Sequence, residues 1–175
     1  MASFPALTGF YKFLFLYFEP FSTSFPALMI LFFPGAAWFY NELVPWGLEV
    51  PASLDARTRL AVWQLGNCYL LLGMVSSLVF RAIRDSVPKD LAVQERLVGA
   101  LLTCLAIADV THVGASFLGL PEAIRYDFGS WNLTTHGNIT FTLFLFFSRL
   151  AWFAGLGRER YYYGVVGAKG VKYDQ

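Results

Sequence analysis

The chain has 175 residues, of which 57% are apolar or aromatic by type, 18% are aromatic and only 14% are charged, with a formal net charge of +1. A water-soluble domain of this size carries about a quarter charged residues to cover its surface, so the composition excludes one and points to a small membrane protein with several spans. The near-balanced charge excludes a polybasic nucleic-acid binder and an acidic tail, and no nucleic-acid partner is expected. Cys68 and Cys104 both lie in apolar runs; they offer neither a disulfide framework nor a cysteine-based zinc site and read as small core hydrophobes.

A membrane-crossing helix needs about 20 mostly apolar residues. Four such stretches follow one another, at 10–33, 60–80, 97–120 and 138–156, and predict an all-α membrane protein, a four-transmembrane-helix bundle. Pro20, Pro26 and Pro34 punctuate the first stretch. A proline inside a helix removes a donor and clashes with the preceding turn, so a proline-kinked or broken first helix is expected, next to a cavity that satisfies the freed carbonyls. Met1 to Thr8 contain no basic residue and no small-residue cleavage motif follows, so the first span is expected to be retained, not cleaved as a signal peptide. The reading is one domain over 1–163 and a polar tail over 164–175.

Orientation follows the Lys/Arg distribution between loops. With four spans, Lys12, Arg81, Arg84, Lys89, Arg96, Arg158, Arg160, Lys169 and Lys172 share one side, nine in all, against three (Arg57, Arg59 and Arg125) on the other. Both termini are therefore expected in the cytosol. Tyr161, Tyr162 and Tyr163 then read as an interfacial belt at the cytosolic end of the fourth helix.

An ionisable group within a span is expensive and marks a functional candidate by default. Glu19 lies about nine residues into the first span, directly before Pro20, too deep for its short side chain to reach the interface. Asp109 and His112 are three apart in the third span and share a helix face. Gln64 and Asn67 are likewise three apart in the second, beside Trp63. Asn138 and Arg149 are eleven apart in the fourth, close to three turns, with Trp131 and His136 just before them. Together these side chains predict a buried polar pocket to which all four helices contribute, in the middle and non-cytosolic half of the bundle, with Arg149 as counter-ion to the carboxyls. Asn, Gln and Ser at such positions also hold helices together without any catalytic role.

Two carboxyls in different surroundings divide into an acid and a base. That division suits opening an epoxide, cyclising a polyene or moving a double bond: one carboxyl protonates the substrate while the other takes a proton from the attacking water or hydroxyl. The catalytic candidates are Glu19, Asp109 and His112; Trp63, Gln64, Asn67, Trp131, His136, Asn138 and Arg149 are candidates for binding substrate. No nucleophile elbow, His-rich array or phosphate-binding glycine loop is present in the sequence, and neither a metal nor a cofactor is expected. The expected partners are an apolar epoxide-bearing small molecule and the lipid bilayer, and a bundle this small also suits a homo-oligomer. A four-helix sterol-isomerase-like alkene isomerase and a non-catalytic lipid-binding or scaffold protein are the alternatives.

Four motifs carry a family resemblance: KFLFLYFEP from Lys12 to Pro20, WQLGNCYLLL from Trp63 to Leu72, IADVTH from Ile107 to His112, and Ser130-Trp131-Asn132 followed by His136-Gly137-Asn138. They resemble a family of small fungal integral-membrane proteins that includes ascofuranone-type terpene cyclases and the epoxide hydrolases of aurovertin- and citreoviridin-type pathways. The resemblance runs from about Gly9 to Gly157. It implies acid–base opening of a meroterpenoid or polyene-polyketide epoxide in the endoplasmic-reticulum membrane, with Glu19 and Asp109 as the acid–base pair and His112 as partner to Asp109. The departure is His136, where an aromatic residue is expected before Gly137-Asn138.

Overall fold

The computed structural model describes residues 4–45 and 49–165, and among them the secondary structure is helical, with no strand. Helix α1 spans Gly9–Leu31, α2 Ala36–Glu42, α3 Ala56–Ser86, α4 Leu91–Gly119 and α5 Glu122–Arg125, and α6 covers 133–153. Short polar side chains begin the later helices: Asp55 accepts from the backbone N–H groups of Arg57 and Thr58, Asp90 from Val93, and Asn132 from Thr135. Each satisfies a donor that the first helical turn leaves without an intrahelical partner.

Helices α1, α3 and α4 are long and apolar enough to cross a membrane, as in an integral membrane protein. Helix α6 is of similar build but carries His136, Asn138 and Arg149. The large apolar side chains Phe21, Phe25, Leu78, Ile107 and Phe147 are exposed on outward faces, where hydrocarbon rather than water is the compatible solvent. Cys68 and Cys104 are exposed as well, so neither is the core filler expected from its apolar neighbours.

Helix α1 is not broken at its prolines. Its irregularity is a π-turn at Leu14–Phe18, directly before Glu19 and Pro20, and Pro26 lies inside the helical run that follows. The Ser22 and Thr23 hydroxyls both donate to the Glu19 carbonyl, at 3.0 and 2.8 Å. The segment around the first proline thus draws on side-chain donors and a widened turn, and remains helical.

Helix α1 packs along α3 because α3 presents a stripe of small residues. Gly66 faces the Ile30 side chain, and a Cβ on Gly73 would stand 2.2 Å from Ser24 Oγ and 3.0 Å from the Pro20 carbonyl oxygen. Residues 66, 73 and 80 recur every two turns on one face, and glycine there allows backbones to approach. Helix α6 packs along α4, and aromatic edges (Phe18 on Phe141 at 5.7 Å, Phe10 on Phe144 at 6.3 Å) join α6 to α1.

The main core, including Leu7, Phe15, Phe80, Leu102 and Trp152, occupies one end of the bundle. At that end the two described chain ends meet: Trp152 Nε1 donates to the Ala6 carbonyl at 2.8 Å, and Tyr11 Oη to the Leu156 carbonyl at 2.7 Å. Gln94 ties the α3–α4 connection to them, accepting from Ala6 N–H and donating to the Val87 carbonyl. A second cluster of Ile30, Phe39 and Val62 seats α2 toward the other end of α1 and α3.

Candidate functional site

The π-turn in α1 sets where Glu19 points. A π-turn holds an additional residue, which shifts the face presented by everything after it; Leu14, Phe15 and Leu16 are buried within the turn, Glu19 and Pro20 after it. On α4 the inward stripe Val98, Leu102 and Leu105 continues to Asp109, and on α6 Leu145, Ser148, Arg149 and Trp152 form the inward face. Three helices therefore aim one ionisable side chain each at a common point near the middle of α1.

The three meet on one guanidinium. Arg149 donates from Nη1 to Glu19 Oε2 at 3.0 Å and from Nη2 to Glu19 Oε1 at 2.8 Å, a two-pronged pairing. Its Nε donates to Asp109 Oδ2 at 2.8 Å, with a longer Nη2 contact to Oδ1 at 3.4 Å. The Phe15 ring lies 5.2 Å from the guanidinium carbon. Arg149 is 1% exposed, Glu19 2% and Asp109 8%, so this is a desolvated triad in which Asp109 is the most accessible member.

Counting charge gives the cluster its chemical interest. Two carboxylates against one guanidinium leave a net charge of −1, and an uncompensated charge in a low-dielectric interior is strongly unfavourable. A single proton on either carboxyl makes the triad neutral. The cluster then holds one carboxylic acid and one carboxylate, both hydrogen-bonded to the same cation.

The other expected site residues are dispersed. His112 lies one turn beyond Asp109 and is half-buried. Asn138 is in the π-turn of α6 (Gly137–Phe141), and its Oδ1 accepts from the Tyr69 hydroxyl at 3.4 Å. His136 pairs through Nδ1 with Thr140 Oγ1 at 3.0 Å and lies edge-on to Trp131, whose Nε1 donates to the Ile124 carbonyl. Trp63 is 45% exposed, under the guanidinium of Arg59, and Gln64 and Asn67 are exposed too. None of the three takes part in the hydrogen bonds of the Arg149 cluster, so the convergence expected from four helices comes from three.

A second buried ion pair was not anticipated from the sequence. Glu95 Oε1 accepts from Arg158 Nη2 at 2.8 Å, with both side chains inaccessible to solvent. The same carboxylate accepts the backbone N–H groups of Tyr161, Tyr162 and Tyr163. The Arg158 guanidinium stacks on Trp152 at 3.8 Å, and the Tyr163 ring fills the notch over Gly99. Tyr163 is thus a packing residue of the bundle's end rather than a member of an outer belt. Of the tail expected over 164–175, residues 166–175 lie outside those described.

Fold and site together define an all-helical protein, three of whose helices are long and apolar enough to cross a membrane, with an arginine-bridged pair of carboxyls buried between its helices. The model of the family described as "Domain of unknown function (DUF7704)" matches residues 4–159, and the chain belongs to that family. No curated protein and no solved structure matches the chain.

Proposed function

We propose that the chain is a four-span enzyme of the endoplasmic-reticulum membrane that opens an epoxide of a terpenoid or polyene-polyketide intermediate, by hydrolysis or by attack of an internal hydroxyl. The meeting of both described chain ends with the α3–α4 connection at one end of the bundle supports an even number of crossings with α6 as the fourth. The excess of Lys and Arg in these segments supports a cytosolic position for that end.

The observation that carries the activity is the pair of carboxyls on Arg149. In a neutral triad the protonated carboxyl gives its proton to the epoxide oxygen as the C–O bond breaks. The ionised one takes a proton from the water or hydroxyl that attacks the opposite face of the carbon. Both steps occur at side chains buried from solvent, where charge is weakly screened. Arg149 holds the two groups in register and stabilises whichever is ionised, and His112, beside Asp109, returns the transferred proton. Either carboxyl can start as the acid.

The test is turnover of a farnesol-derived epoxide by microsomes that contain the full chain. Glu19→Gln and Asp109→Asn are each expected to lower kcat/KM by about 10²–10⁴, the usual contribution of a positioned acid or base. Oxygen-18 uptake from labelled water marks hydrolysis, and its absence with a ring product marks cyclisation. Deuterium entering carbon without epoxide opening would replace this reading with alkene isomerisation. Full turnover by both variants would contradict the acid–base role.

A further inference from the structure

Gln64 and Asn67 stand in the apolar stretch 60–80 of α3, a helix long enough to cross a membrane. Both are exposed, and along 60–83 the described side-chain hydrogen bonds run from Tyr69 to Asn138 and from Arg81 to Ser77, none of them to either amide. An amide that faces hydrocarbon finds no water, so its donors and its acceptor call for a partner outside the bundle.

The positions around Gln64 say what that partner is. Ala61, Gln64, Cys68, Leu71, Val75 and Leu78 recur at alternating steps of three and four, and all are exposed except the half-buried Val75. That is the spacing of a helix-to-helix seam, and α1, which covers Gly66 and Gly73, leaves it open. Residues 61–78 rise about 26 Å, most of the hydrocarbon thickness of about 30 Å. Ala61 and Cys68 are small enough to let a second backbone approach on either side of Gln64. Toward the α3–α4 connection the seam opens into an apolar groove lined by Leu78, Ala82 and Leu97.

A primary amide both donates and accepts, so two copies of Gln64 satisfy each other across a two-fold axis. Chains inserted by the same charge rule point the same way, which sets two α3 helices parallel and brings each seam residue to its own copy. Helix α4 also has an exposed stripe, with Ala100, Cys104 and Ile107. Its polar member is satisfied within the helix: the Thr111 hydroxyl donates to the Ile107 and Ala108 carbonyls at 3.2 and 3.0 Å. The unmet amides therefore single out α3.

We propose that this seam of α3 is the interface of a homodimer, in which two copies pack with parallel α3 helices about an axis normal to the membrane. Gln64 pairs with its own copy and fixes the register, as a single polar residue does in a seam of apolar ones, and Asn67 flanks it one turn deeper. The Arg149 cluster, buried inside each bundle, is left as it is.

The test oxidises microsomes containing the full chain with copper phenanthroline. With Cys104→Ser in place, Cys68 is expected to link two chains into a product of twice the chain's mass. In a background of Cys68→Ser and Cys104→Ser, Leu71→Cys is expected to do the same, and Ile107→Cys on the exposed stripe of α4 is not. Energy transfer between two labelled populations of the chain in vesicles then measures strength. Gln64→Leu is expected to raise the protein-to-lipid ratio at half-association about tenfold, the equivalent of about 1.4 kcal/mol and the size of an interhelical hydrogen bond in a membrane. Equal linking at Leu71→Cys and Ile107→Cys, no linking at either Cys68 or Leu71→Cys, or unchanged association of Gln64→Leu overturns the proposal. A linked product of any other mass assigns the seam to a different protein and overturns it as well.

Discussion

Among the described residues the bundle buries charge in two places, and the two differ in stoichiometry. At the end near the chain termini, one carboxylate, Glu95, meets one guanidinium, Arg158, and takes up three backbone N–H groups besides. Between α1, α4 and α6, one guanidinium, Arg149, meets two carboxyls. The first set is balanced and saturated, which is what a fastening requires: no proton has reason to move and the tail is held down. The second is one positive charge short. That deficit is filled most simply by a proton, which makes the cluster an acid and a base at once.

Removing the cation is expected to separate the two sets most strongly. Arg149→Leu leaves two carboxyls facing each other without a partner, a loss of about 3–5 kcal/mol, to be read as a fall in melting temperature in detergent. Adding Glu19→Gln and Asp109→Asn to that variant is expected to restore much of the loss, since the repulsion is then gone. At the other end, Glu95→Ala is expected to destabilise by a comparable amount by stranding Arg158. Replacing the pair together, with Glu95→Leu and Arg158→Met, is expected to recover most of it and to leave the proposed epoxide turnover intact. Loss of turnover in that double variant would show that the terminal clamp is more than a fastening.

Substitutions at the two glycine contacts are expected to have smaller effects. Gly73→Ala forces α1 off α3, because its Cβ meets the Pro20 carbonyl as well as Ser24, and is expected to lose about 1–3 kcal/mol as an overpacked contact. Since Glu19 adjoins Pro20, the same substitution is expected to reduce turnover. At Gly99 the atoms nearest an added Cβ belong to the Tyr163 ring, a side chain rather than backbone, so Gly99→Ala is expected to lose less than Gly73→Ala and to leave the Arg149 cluster undisturbed.

The smallest effect belongs to a cap remote from both sets. Asp55, at the start of α3, has its carboxyl held below the ordinary range by the Thr58 hydroxyl first and then by backbone N–H groups. Its folded value is therefore depressed. Its contribution is fully present above the ordinary carboxylate range and fades as the pH falls through the lowered value. Asp55→Ala is expected to remove that acid-side slope from a melting-temperature profile and to change neither cluster.

The sequence made the central cluster readable because Glu19, Asp109 and Arg149 interrupt runs that are otherwise apolar, and a charge in such a run needs a partner. Its geometry was less readable. Gln64 and Asn67 have the same polar appearance, yet the Gly66–Gly73 spacing decides which face of α3 turns inward, and it turns those amides out. That spacing is visible in the sequence and outweighs polarity as a guide to the packed face. Glu95 and Arg158 escaped notice because they stand beside loops, where charge is ordinarily solvated; only the folding back of residues 158–163 buries them. The π-turns leave no local signature apart from the proline after the first.

The charge count calls for one proton on the Arg149 cluster at neutral pH and for none on the Glu95 pair. Infrared spectroscopy of the purified protein in deuterated and ordinary buffer tests it directly, because a protonated carboxyl has a carbonyl stretch distinct from that of a carboxylate. A protonated-carboxyl band is expected in the native protein, one that Glu95→Gln leaves in place and that the double variant Glu19→Gln with Asp109→Asn abolishes. A native spectrum with no such band, or one whose band survives the double variant, would contradict it.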